Sequence, residues 1–405
     1  MRVLLLGGVF DSSHNDEIVS KTRTYVEYAA NNFQKKIIKG LQESDINVEV
    51  ISAPFIGAYP NAYADWYFNG FDSHVNDISG YKYVNFINIW GIRNLSRANA
   101  LKRELKDFIE SDDPNKLIIV YTPHTPLIQA ANYAKKKDNK IKICLVVPDL
   151  PQYMNLADNV SAFYKILKKL DVKAFQRENR GVDSYVILSE PMADDLQIGD
   201  RPYCVVEGIY QEKVRKFTAR ENNKVRTIVY TGKLDRSFGI MNLVNAFMKI
   251  NDKNLRLLIC GNGEERENVI NCANQDNRIL YKGQVSSDIA EQYAWEGDVL
   301  VNPRQNNSNY TKYSFPSKII DYLTTGNPVV AYKLDGMPEQ YQDFIYFVPD
   351  DTIESLKNTI MDALYGDENL KHIKSQKALT YFRNNISRKV VANKILSMNF
   401  EITRI

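Results

Sequence analysis

The sequence predicts an α/β protein built from two doubly wound, Rossmann-like domains. Three observations carry that expectation. Short apolar, β-rich runs alternate with longer helical patterns, the signature of a parallel sheet with crossover helices. The alternation restarts once, at Thr227-Ile-Val-Tyr-Thr-Gly, in the way that Val3-Leu-Leu-Leu-Gly-Gly opens it. The length of 405 residues also exceeds what one hydrophobic core ordinarily serves.

The first series places strands at 2–6, 48–51, 83–85, 117–121, 141–147 and 184–188, with helical patterns such as 28–41 and 97–109 between them. The run Leu117-Ile-Ile-Val has no polar side, as expected of a strand covered on both faces. The second series runs through Thr227-Ile-Val-Tyr, Arg256-Leu-Leu-Ile-Cys-Gly, Ile279-Leu-Tyr, Val299-Leu-Val and Val329-Val-Ala. Polar and charged residues gather at 211–224, beside the expected boundary. The expected organisation is an N-terminal domain over 1–205, a second domain over 206–385, and a terminal helix over 386–405 that packs back towards the first. The stretch 375–398 is helical in pattern and follows the completed second series.

Charged residues make up 25% and hydrophobic residues 44% of the chain, ordinary for a globular enzyme. A net charge of +3 is too small to announce a nucleic-acid binder. Cys144, Cys204, Cys260 and Cys272 form no C-x-x-C pair and read as reduced thiols suited to a cytosolic protein. His14, His74, His124 and His372 are isolated and lack metal-ligand spacing, so no metal site is expected. The opening apolar run is short and reads as a core strand, not a signal peptide. No stretch approaches the ~20 apolar residues of a membrane span.

In open α/β sheets, ligands bind beyond the carboxyl ends of the strands. The strongest local signal there is Tyr313-Ser-Phe-Pro-Ser-Lys-Ile-Ile-Asp-Tyr-Leu-Thr-Thr-Gly-Asn-Pro. Pro316 suits the first turn of a helix, Gly326 a position just past its end, and Pro328 a stop. A helix start offers free N–H groups and a positive pole, which suit a diphosphate. Ser317 adds a hydroxyl there and Lys318 a charge. Asp321, three residues on, shares the helix face and is placed to hold ribose hydroxyls. The competing reading is an ordinary capped helix with a solvated Lys–Asp pair.

In the first series, Gly7 and Gly8 end the first strand, either for close approach of a ligand or for a bare tight turn. They lack the G-x-G-x-x-G fingerprint, which disfavours a nicotinamide-dependent oxidoreductase. His124 and Asp149 each follow a strand. They are candidates for a polar role in catalysis, against loop-capping residues beside proline. The segment from Phe163 to Arg177 places Phe163, Ile166, Leu167, Leu170 and Ala174 on one stripe and lysines on much of the rest. Such a helix either faces the core with a solvated basic side or lies on an anionic membrane.

Five pieces in order resemble glycosyltransferase family 4, the retaining enzymes of the GT-B fold. Tyr230-Thr-Gly-Lys-Leu resembles its G-[R/K]-L loop, and Leu258-Ile-Cys-Gly-Asn-Gly-Glu its G-x-G strand end. Tyr281-Lys-Gly-Gln-Val resembles the strand before its base-binding loop. Asp298-Val-Leu-Val-Asn-Pro resembles A-D-V-x-V-x-P, and Asp321-Tyr-Leu-Thr-Thr-Gly-Asn-Pro-Val-Val-Ala resembles E-A-M-A-x-G-x-P-V-V-A. The resemblance covers nearly all of the second half, whereas the first half is similar only in pattern.

The resemblance implies two Rossmann-like domains facing a central cleft, and transfer of a sugar from a nucleoside diphosphate, UDP for choice, without a metal or other cofactor. Gly232, Lys233 and Gly261 would then belong to the donor site, with Lys233 on the diphosphate and Gln284 and Val285 beside the base. Asp321 takes the place of the second Glu of the Glu-x7-Glu pair. Pro316-Ser-Lys resembles a variant found in surface-polysaccharide members. The resemblance also implies a saccharide or lipid-linked acceptor, a cytoplasmic location with possible peripheral membrane contact, and no nucleic-acid partner. Two positions depart from the pattern. Tyr313 stands where the family has its first Glu, and Phe238 replaces the second basic residue, a charge that Arg236 or Lys318 is positioned in sequence to supply. Tyr313 keeps one rival in view, a non-catalytic partner of another transferase; a nucleotide-sugar epimerase of similar two-domain shape is a second.

Overall fold

The computed structural model describes residues 1–71, 81–151, 162–212, 225–306, 311–313 and 315–401; for 162–168 it describes the backbone alone. The chain divides into two compact units, 1–209 together with 386–405, and 210–385.

The first unit carries β1 (Arg2–Gly7), β2 (Val48–Ser52), β3 (Tyr67–Phe68), β4 (Tyr81–Tyr83), β5 (Phe86–Ile87), β6 (Lys116–Tyr121), β7 (Ile141–Val147), β8 (Ser184–Ile187) and β9 (Tyr203–Val205). Seven of these form one sheet in the order β4-β2-β1-β6-β7-β8-β9, parallel throughout. β3 and β5 make a separate antiparallel pair. The continuous apolar run of β6 lies at the sheet centre, and Leu117, Ile118, Ile119 and Val120 are fully buried. The expected strand at 83–85 instead occupies 81–83, because Tyr81 to Tyr83 align with Val50 to Ser52 and the chain then turns into β5.

Helix Tyr28–Gln42 covers one face of this sheet. The last helix, Arg388–Asn399, lies against it, burying Val391, Ala392, Ile395 and Leu396 in the core of the first unit. Gly40 makes that contact possible, since a Cβ there would stand 2.2 Å from the Arg388 carbonyl oxygen. The expected helix over 97–109 is two helices, Arg93–Glu104 and Lys106–Glu110, broken at the buried Leu105.

The second unit carries β10 (Arg226–Thr231), β11 (Leu255–Cys260), β12 (Ile279–Tyr281), β13 (Val299–Asn302), β14 (Val329–Ala331) and β15 (Tyr346–Phe347). Their order is β12-β11-β10-β13-β14-β15, again all parallel. In both sheets the order reverses beside the first strand, which leaves a crevice at its carboxyl end. Most of the polar segment 211–224 lies outside the described residues.

The basic helix occupies Ala162–Glu178. The side chains of Phe163, Ile166 and Leu167 lie outside the described residues. Leu170, expected on the buried stripe, is 56% exposed, whereas Phe175 is 4% exposed. The buried side is therefore rotated from the expected one, because Thr125 and Asn132 on a neighbouring helix bond to Asp171 and Glu178 and fix which face turns inward.

Candidate functional site

In the second unit, the loops after β10, β11 and β12 are stitched edge to edge. Gly232 N–H donates to the Cys260 carbonyl at 3.0 Å, Leu234 N–H to Asn262 at 3.0 Å, and Gly261 N–H to Gly283 at 2.8 Å. Gly261 has φ +144°, and a Cβ on it would stand 1.8 Å from the Gly232 carbonyl oxygen. Only glycine allows these two loops to close on each other. Gln284 is exposed and Val285 half-buried in the loop that follows β12.

Helix Ser317–Leu323 is tied to this platform by Tyr322. Its buried hydroxyl accepts the Thr231 N–H at 2.8 Å, at the end of β10. The helix does not start where the sequence suggests. Pro316 is the N-cap, with ψ 98°, and not a first-turn residue; its carbonyl accepts the Ile319 N–H at 2.8 Å. Gly326 lies in the left-handed region at φ +79°, three residues past Leu323 and so further from the helix end than the sequence suggests.

Ser317 and Lys233 are exposed, and Lys318 and Asp321 half-buried. Among the described residues, Lys318 and Asp321 form no ion pair with each other, and neither they nor Lys233 has a side-chain partner. Lys318 acts together with Lys282 on the Cys260 thiol at the end of β11, which burial pushes up to about 11. Lys282 is thus a second cation at this edge that the sequence reading did not single out.

Arg236, the first candidate for the missing family charge, is committed elsewhere. Its Nε donates to Glu265 at 2.6 Å and its backbone N–H to Glu264 at 2.8 Å. Arg304 stands beside the vacated position. It is 7% exposed, follows β13, and places its guanidinium 5.4 Å from the Phe238 ring. The signal in sequence was an arginine directly after a strand end, but 66 residues separate it from Phe238 and no spacing links the two. Tyr313 is 7% exposed, in the short turn Thr311–Tyr313, with the Lys312 ammonium 4.6 Å from its ring.

In the first unit, the loop after β1 is packed by its own chain. Gly8 N–H donates to Gln34 Oε1 at 3.0 Å, and a Cβ on Gly8 would stand 2.5 Å from the Phe55 ring. Gly7 likewise faces Gln34. Close approach is required at both glycines, and Gln34 and Phe55 supply it.

His124 is the N-cap of helix Thr125–Lys137 but makes no side-chain cap bond. Burial, then Arg97 and Arg93, push it down to about 3, so it is neutral at physiological pH. Asp149 follows β7, and burial and then Glu27 raise its carboxyl to about 6. Its side chain nevertheless remains exposed. The shift therefore reflects protein crowding around a solvent-open carboxyl.

His14 is not isolated in the fold. Its Nδ1 lies 2.7 Å from Asp11 Oδ1, Tyr83 donates to Asp11 Oδ2 at 3.0 Å, and Phe71 stacks on the imidazole at 3.9 Å. Among the described residues, no cluster of three or more His, Cys, Asp or Glu side chains is arranged to hold a metal ion. No described helix is long and apolar enough to cross a membrane.

Comparison with known proteins defines the class to which this fold belongs. Residues 225–365 match the family model of Glycosyl transferases group 1. No curated protein matches the chain in sequence. The chain aligns over 98% of its length with the apo lipopolysaccharide outer core galactosyltransferase WaaB, covering 99% of that chain at TM-score 0.64 and 14% identity. It aligns over 98% with HepE of Anabaena in complex with UDP, covering 99% of that chain at TM-score 0.60 and 12% identity. A variant of TarM from S. aureus, in complex with Fondaparinux, alpha-GlcNAc-glycerol and UDP, aligns over 98% of this chain and 99% of its own, at TM-score 0.60 and 11% identity. The fold is that of the GT-B glycosyltransferases.

Proposed function

We propose that the protein is a glycosyltransferase that moves a sugar from a nucleoside diphosphate sugar, UDP-linked, to a saccharide or lipid-linked saccharide. It does so with retention, without a divalent metal, in the manner of family 4 enzymes of surface-polysaccharide synthesis. The observation that carries the reading is the set Lys233, Lys318 and Asp321. All three lie at the carboxyl edge of the second sheet or on the helix that Tyr322 ties to it, and none has a partner among the described residues. Charged side chains that no protein group has claimed are groups available to a ligand.

Lys233 and Lys318 stabilise the charge that builds on the departing diphosphate, the role a divalent cation plays elsewhere. Oriented cations and N–H groups contribute several kcal/mol to such a step. Lys282 and Arg304 add positive potential at the same strand ends. The match of 225–365 to a transferase family and the UDP found in complexes of HepE and TarM support the same donor.

Calorimetry with UDP and a panel of UDP-, GDP- and dTDP-sugars tests the donor, and transfer measured with and without EDTA tests the metal. UDP binding in the micromolar range and EDTA-resistant transfer are expected; a strict magnesium requirement overturns the mechanism. The second reading, a non-catalytic partner of another transferase, is favoured by Tyr313, buried where the family carries a Glu. It wins if UDP binds but neither transfer nor sugar-nucleotide hydrolysis occurs.

A further inference from the structure

Two arginines of the first unit, one buried and one half-buried, have no acid beside them among the described residues. Arg97, on helix Arg93–Glu104, is 2% exposed. One of its Nη atoms donates to the Pro54 carbonyl at 2.9 Å and leans towards that of Ile56 at 3.5 Å, and its guanidinium lies 4.3 Å over the Phe86 ring. Its Nε is enclosed, with no hydrogen-bond acceptor among the described residues. One turn earlier, the half-buried Arg93 donates to the Ile56 carbonyl at 3.2 Å. His124 lies in the field of both.

Among the described residues, no carboxylate acts on any of the three. Burial alone pushes Arg93 down, and burial and then Arg93 push Arg97 down. Glu27 acts on Asp149, and both act on Tyr121, but neither acts on this cluster. Enclosing one cation without a counter-charge costs several kcal/mol, and a second beside it adds repulsion. No described side chain meets either charge, which leaves both guanidiniums able to meet an anion.

Pro54, Phe55 and Ile56, the segment both arginines hold, also wall a cavity lined by Gly8, Phe10 and Glu27. The Phe55 ring stands edge-on to His124 at 6.1 Å. Two guanidiniums call for two negative charges, which a phosphate monoester or a pyrophosphate carries and a single carboxylate does not.

We propose that Arg93, Arg97 and His124 form a receptor for a phosphoryl group carried by the acceptor substrate. The word acceptor rests on the transferase reading above; the anion site itself does not. Arg93 and His124, both half-buried, are the contact groups. Arg97 stands behind them, supplying charge and holding the 54–56 wall. The phosphoryl group belongs to a soluble sugar phosphate or to a phosphorylated lipid; the exposed Ile92 and Leu95 on the same helix start suit the second source.

The test is calorimetry of the full chain with inorganic phosphate and glucose 1-phosphate, and co-sedimentation with phosphatidylcholine vesicles with and without phosphatidic acid. Each is run on wild type, Arg93→Met, Arg97→Met and Arg97→Lys, with UDP as the control ligand. The expected result is phosphate or phosphatidic-acid binding that weakens at least tenfold in both Met variants and partly in Arg97→Lys, while UDP binding is unchanged. Arg97→Met should lose the phosphate-dependent rise in Tm. Competition by glucose 1-phosphate assigns a soluble acceptor; binding confined to vesicles with phosphatidic acid assigns a lipid one. Equal anion binding by wild type and variants, or none by any of them, while UDP binds normally, overturns the site. If Arg97→Met does not fold, the half-buried Arg93 position decides by the same comparison. Failure of UDP binding with phosphate binding intact sinks the donor reading and leaves the anion site standing.

Discussion

Lys318 and Asp321 stand three positions apart on one helix and yet do not pair, so the solvated ion pair that the sequence also allowed is absent. If the lysine holds diphosphate, Lys318→Ala should weaken UDP by about 1.5–3 kcal/mol, roughly ten- to hundredfold, in calorimetry, the range for a hydrogen bond to a charged group. Asp321→Ala should weaken UDP but leave inorganic pyrophosphate binding unchanged, since its partner is the ribose; equal losses for both ligands would remove it from that role. His124 and Asp149 make opposite predictions with pH. Between ~6.5 and about 3 an unfolded His124 takes up a proton that the folded one refuses, so its contribution to stability declines as pH falls through that window. His124→Gln should flatten this acid loss in urea melts at pH 7, 6 and 5. Asp149, raised to about 6, holds a proton in the folded state that the unfolded carboxyl has lost. Its contribution is full below ~3.8 and disappears as pH rises through about 6. Asp149→Asn should therefore melt above wild type at pH 8 and not at pH 4.

Among the elements, the helix start at Ser317 gains its place from Tyr322, not from its own seven residues. A helix that short is marginal alone, and tertiary contacts decide where it sits. Tyr322→Phe removes the bond to the Thr231 N–H and leaves a buried donor, at a cost of about 1–3 kcal/mol in unfolding free energy. It should also raise the donor KM with little change in acceptor KM. A variant that loses stability but keeps the donor KM would show that the tether is structural only. The shift of Pro316 from first turn to N-cap has the same origin: the residue that begins a helix depends on which carbonyl is free to accept first, and Ile319 chooses Pro316.

At the scale of the whole molecule, each sheet has one reversal of strand order, and each reversal coincides with a glycine-bearing loop, Gly7-Gly8 in one and Gly232 in the other. The terminal helix belongs to the core of the first unit although it follows the second in sequence. Ile395→Ala should therefore lose about 2–5 kcal/mol, visible in the melting of the first unit and in phosphate binding, with UDP binding unaffected in native protein.

The sequence by itself determined the α/β class, the restart of the alternation at Thr227 and most strand positions, because buried parallel strands must be apolar along their whole length and so declare themselves locally. It missed β9 and β15, edge strands too short to carry a pattern, and the β3–β5 pair, two residues on each side. Only the tertiary structure decided which charges are committed. Arg236 looked available and is held by Glu265, 29 residues away; Arg97, at the start of the expected helix 97–109, is enclosed with no acid beside it among the described residues. Charge compensation is a matter of distances in space between residues far apart in the chain, and it is invisible to spacing for that reason.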